Sequence, residues 1–170
     1  MNLVVVACVM FALWAVAVAA SDFRYRRVAN ALVVAGLAAA GLCAVFARAP
    51  FGVSPGGAAL GAGVGLLALL PFFALGVMGA ADVKVFAVLG AWCGVHALAG
   101  LWIAASLAGG VHALWVLGAT RSRLAALAPN RGRTFVLGGR RGAPYAAFLT
   151  LAALGWLAWL AWLGIAGGVR

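Results

Sequence analysis

The sequence predicts an all-α, polytopic membrane protein: a single domain over residues 1–170, built as a bundle of six transmembrane helices with N-terminus and C-terminus both outside. Three observations carry that reading. Of the 170 residues, 68% are hydrophobic and 8% charged, whereas soluble domains are apolar over roughly half their residues. The apolar stretches approach or reach the ~20 residues that a helix needs to cross a hydrocarbon core. They are apolar on every face and rich in Ala, Leu, Val and Gly, where a transmembrane barrel would alternate polar and apolar residues. Finally, ten of the twelve basic residues fall on one side of the bilayer once the crossings are counted, as expected of cytoplasmic loops.

The first crossing is predicted over 3–20. Ala17-Val18-Ala19-Ala20-Ser21 resembles a leader-peptidase site, but Met1-Asn2-Leu3 carries no Lys or Arg and the positive cluster follows the apolar run. That is the reverse of a secretory signal. The second and third crossings read as 30–47 and 57–77. The 36 residues between Lys84 and Arg121 carry no formal charge, and one helix of that length would span about 54 Å, far more than a hydrocarbon core. A break at Gly94-Val95-His96 divides them into a short helix over 83–93 and a longer one over 97–118. The last crossing, 144–165, opens on Pro144, suited to a first helical position because its missing N–H would lack an intrahelical partner anyway.

This count places Arg24, Arg26, Arg27, Lys84, Arg121, Arg123, Arg131, Arg133, Arg140 and Arg141 in the cytoplasm and leaves Arg48 and Arg170 outside. The net charge of +10 is therefore a topology signal, and no soluble module is present to bind nucleic acid. The segment 119–142, with six arginines, reads as a cytoplasmic loop that can also attract anionic lipid head groups. Cys8, Cys43 and Cys93 are widely separated and form no CxxC pair, and neither His96 nor His112 has a second metal-type ligand beside it. No metal and no cofactor is expected. Trp156, Trp159 and Trp162 read as an aromatic anchor at the outer end of the last span.

The chain holds no Glu and two Asp, so carboxylate chemistry must use Asp22 and Asp82. Asp22 closes the first helix and Asp82 opens the fourth, which puts them at one depth at the cytoplasmic edge. Two carboxyls brought close cannot both ionise cheaply, so one stays protonated and the pair titrates as a unit, as hydrolysis of a peptide by a water-activating base and a proton donor requires. Helix ends weakly nominate Asp82, at an N-terminus, as base and Asp22, at a C-terminus, as acid. Each also has a structural reading: Asp82 as a helix cap, Asp22 as a partner of Arg26 or Arg27.

Asp22-Phe23-Arg24-Tyr25-Arg26-Arg27-Val28-Ala29-Asn30 and Gly79-Ala80-Ala81-Asp82-Val83-Lys84 resemble the two motifs of the type IV prepilin peptidases: an Asp, alternating basic residues and a closing Pro-Asn, then GxGDxK. Pro144-Tyr145-Ala146 is similar to a weaker Pro-aromatic segment. The resemblance is closest to the short CpaA/TadV-like members. It implies a GxGD-type aspartic endopeptidase of the inner membrane that removes the leader from pilin or pseudopilin precursors at the cytoplasmic face, with Asp22 and Asp82 catalytic. Gly79, Ala80 and Ala81 offer a small-residue surface for substrate backbone. Lys84 either steadies the dyad or marks the membrane edge, and Asn30 either binds substrate or caps the second helix.

Larger relatives carry a cytosolic insertion with CxxC pairs and also transfer methyl groups; its absence here argues against both zinc and methyl transfer. Two departures stand out. Ala81 replaces a Gly, which is harmful where that position needs φ > 0, and Ala29 replaces a Pro. Two rival readings use the same acids: a transporter or proton relay, which would spread titrating groups through the bilayer, and an inactive scaffold that only binds pilin precursors.

Overall fold

The computed structural model describes residues 3–46, 49–126 and 144–164. These form six helices and no strand: α1 Leu3–Tyr25, α2 Asn30–Val45, α3 Pro55–Ala74, α4 Ala80–Cys93, α5 Val95–Ala126 and α6 Tyr145–Trp162. Leu3–Tyr25, Pro55–Ala74, Val95–Trp115 and Tyr145–Trp162 are long and apolar enough to cross a membrane. The chain is a polytopic helical membrane protein. At 16 and 14 residues, α2 and α4 are about 24 and 21 Å long, shorter than a hydrocarbon core.

Helix α4 forms the axis of the bundle, against α2, α3, α5 and α6, while α1 packs on α2 and α6. From Val83 to Gly94 every residue but Lys84 is buried. A helix too short to span is thus wrapped by longer ones whose outer faces carry exposed Leu13, Leu60, Leu107 and Leu114, the arrangement expected where the surroundings are acyl chains. The closest approach is between α3 and α4. A Cβ on Gly61 would meet the Gly90 carbonyl and one on Gly90 the Gly61 carbonyl, and a Cβ on Gly65 would sit 2.8 Å from Phe86 O. Small residues let these backbones touch, which is how helices gain packing energy in lipid.

The helix breaks have local causes. Gly94, at φ 78°, takes a conformation closed to most side chains and divides α4 from α5. Arg26, at φ 53°, ends α1, and Ser21 Oγ donates to Arg27 O at 2.7 Å across the turn. Ser54 caps α3 by accepting from the Gly57 amide at 3.1 Å, followed by Pro55 at the first position. At the end of the bundle away from Asp22 and Asp82, Phe11 packs edge-on against Trp92 (5.3 Å) and Phe51 (5.2 Å), and Phe51 stacks on Trp156 (4.7 Å).

Some boundaries differ from the sequence reading. Helix α5 continues to Ala126, so residues 119–126 of the expected loop are helical, and the rest of it, 127–142, lies outside the described residues along with Arg48 and Arg170. Pro144 is the N-cap of α6, its carbonyl accepting from Phe148 N at 3.2 Å, and Tyr145 is the first helical residue. Trp159 and Trp162 are exposed, as an anchor requires, but Trp156 is committed to Phe51.

Candidate active site

Asp22 lies in the last turn of α1, 5% exposed, and is the only buried acidic side chain among the described residues. Its Oδ2 accepts the Ala147 backbone N–H at 3.0 Å, across 125 positions of sequence. Asp82 occupies the first turn of α4, where its Oδ2 accepts the Gly79 amide at 3.2 Å, half of a capping box. The backbone amide of Ala146 favours the charged form of both carboxyls. Residues 145–147 open α6, where amides have no carbonyl one turn back to bond, so three helix ends meet: the C-terminus of α1 and the N-termini of α4 and α6. Burial first, and the charge of Asp22 second, push Asp82 up to about 6.

The cap reading of Asp82 is shifted by three positions: Gly79 is the N-cap, and Asp82, third in the helix, bonds back to its amide while also feeling the charge of Asp22. Gly79 is the N-cap of α4, in extended backbone at φ −76°, ψ 150°. A Cβ there would lie 3.2 Å from Asp82 Oδ2, so this glycine keeps space around the acid. Ala80 and Ala81 are the first two residues of α4, and among the described non-glycine residues only Arg26 has positive φ. The methyl of Ala81 therefore carries no backbone strain, and the position does not call for glycine.

Lys84 does not reach the dyad. Two helical residues beyond Asp82 it points about 200° around the axis, where its Nζ donates to Asn30 Oδ1 at 2.9 Å. The expected cap on α2 is also corrected, since Ala29 is the N-cap and no side chain caps that helix. Asn30 and Lys84 instead pin α2 to α4 at the head of an apolar cleft of about 560 Å³ lined by Val33, Leu37, Ala62 and Leu66 among others. That cleft does not contain the carboxyls. Among the described residues no three of His, Cys, Asp and Glu converge.

Ala29 sits at φ −64°, ψ 140°, the backbone that proline imposes. Ala29→Pro is expected to raise stability by about 0.4–1 kcal/mol by narrowing the unfolded ensemble, read as a higher thermal midpoint in detergent. A lower midpoint would show that the ring collides with its neighbours.

What the sequence missed was the role of α6. Pro144 signalled a helix start, but nothing local says that its free amides point at Asp22 and Asp82.

The fold is that of a helical membrane protein whose two acidic side chains lie at converging helix ends, near enough for the charge of Asp22 to raise Asp82. The family described as the type IV leader peptidase family matches residues 9–114, well over half of the chain, and this protein belongs to it. The match takes in both acids and stops short of α6. No curated protein and no solved structure matches the chain.

Proposed function

We propose that the chain is an aspartic endopeptidase of the inner membrane that cleaves the leader from type IV or Flp-like pilin precursors at the cytoplasmic face, with Asp22 and Asp82 as its catalytic pair. The observation that carries this reading is the placing of the two acids at converging helix ends: Asp22 accepts the Ala147 amide of α6, Asp82 accepts the Gly79 amide at the start of α4, and the charge of Asp22 raises Asp82. The family supports peptidase chemistry, and the charge count supports six crossings with both termini outside and the dyad on the cytoplasmic side. A proton relay is disfavoured because both acids occupy one spot instead of a path through the bilayer. The short CpaA/TadV-like subgroup, and with it small Flp-type substrates, rests on the motifs at 22–30 and 79–84.

In the reaction, Asp22 as carboxylate takes a proton from water, and the water oxygen bonds to the scissile carbonyl carbon. Asp82, protonated, donates to the carbonyl oxygen. As the tetrahedral gem-diol collapses and the C–N bond breaks, Asp22 gives the proton it took to the leaving nitrogen and Asp82 takes one back from a gem-diol hydroxyl, which restores both acids. This assignment reverses the one drawn from α1 and α4 alone, because the Ala147 bond from α6 favours the anion on Asp22. Leader removal from co-expressed precursors tests the function; a wild-type chain that leaves every pilin-like precursor intact sinks it.

The pH behaviour follows from Asp82. Its proton is retained below and lost above about 6, so kcat is expected to fall as pH rises through that region. Stability has the same sign. A carboxyl whose folded pKa is raised binds more protons folded than unfolded, so its contribution is present below its ordinary value of 3.8 and lost as pH rises to about 6. Asp82→Asn removes that penalty and is expected to be more stable than wild type at pH 7 by on the order of 2 kcal/mol, with the difference gone at pH 3. Paired thermal melts at the two pH values decide it, and equal gains at both would contradict the assignment.

A further inference from the structure

Tyr145, the first residue of α6, is fastened to α5. Its hydroxyl donates to the Trp102 carbonyl at 3.4 Å and lies 2.9 Å from Ser106 Oγ, one turn further along α5. With the tyrosine proton on Trp102 O, Ser106 is the donor in the second bond. The same residue lies within electrostatic reach of Asp82; two positions on, the Ala147 amide bonds to Asp22 Oδ2 at 3.0 Å, and the Ala146 amide between them favours the charged form of both acids. Hydrogen bonds weaken steeply with misalignment, so a small rotation of the first turn of α6 would take the Ala147 N–H off Asp22. We propose that Tyr145 is a positioning residue for the dyad: its hydroxyl, held by Ser106 and the Trp102 carbonyl, sets the first turn of α6 so that the Ala146 and Ala147 amides stay on Asp22 and Asp82.

The test uses the full chain in detergent with ¹³Cγ-labelled aspartate. The sequence has two Asp and no Glu, so two resonances report the carboxyls without reference to activity. Tyr145→Phe is expected to move at least one titration by about half a pH unit, a threefold change in proton affinity. Ser106→Ala moves it the same way by less. Ser106→Thr, which keeps a hydroxyl, and Tyr25→Phe, at an exposed position, follow wild type. Titrations of Tyr145→Phe and Ser106→Ala that superimpose on wild type overturn the proposal. The kinetic readout rests on the peptidase reading: Tyr145→Phe lowers kcat about tenfold through misplacement of the pair, with KM little changed. A wild type that cleaves no precursor refutes that reading and leaves the titrations to decide this one.

Discussion

Asp22→Asn and Asp82→Asn are each expected to abolish leader removal, with turnover lower by about a thousandfold or more. The amide is nearly the same size as the carboxyl, and its oxygen can still accept the Ala147 amide at position 22 or the Gly79 amide at position 82. The helix ends therefore stay in place, and what is lost is the proton traffic. At position 22 no group remains to take a proton from water; at position 82 an amide cannot give one up. If the two act as one unit, as proposed, the double variant is expected to be no slower than the worse single variant. Initial rates on a precursor, in a host lacking other leader peptidases, measure this. Processing by either variant within tenfold of wild type would remove the dyad from the mechanism.

A methyl group on Gly61 or Gly90 is expected to be nearly as damaging, but to the fold. Each Cβ would land on the carbonyl of the opposite glycine, and backbone, unlike a side chain, has no rotamer into which it can withdraw. Either α3 and α4 separate or the variant does not assemble. Gly61→Ala and Gly90→Ala should each lose about 3 kcal/mol, and any shift of α4 carries Asp82 with it, so cleavage falls as well. Gly63, two residues along α3 from Gly61, has nothing within 4 Å of a built Cβ. Gly63→Ala should therefore leave the thermal midpoint unchanged or raise it. If Gly90→Ala melted like Gly63→Ala, the close contact of α3 and α4 would be wrong.

All six helices were legible in the sequence, because apolar length, glycine and proline breaks and basic flanks are local signals. Gly94 divides α4 from α5 as expected. The extension of α5 to Ala126 was hidden, because arginines were read for their charge although they are also good helix formers. The two acids stood out for a compositional reason, since a chain without Glu leaves few candidates.

The sequence by itself determined a helical membrane protein with a single possible carboxylate pair and two recognisable motifs. Only the tertiary structure decided that Asp22 bonds to the first turn of α6, that Lys84 turns away to Asn30, and that Ala81 sits in an unstrained helix. The physical reason is that these helices are apolar all round. Periodicity marks no inward face on them, so their relative rotation comes from glycine contacts and from bonds between distant residues, such as the one from Ala147 to Asp22.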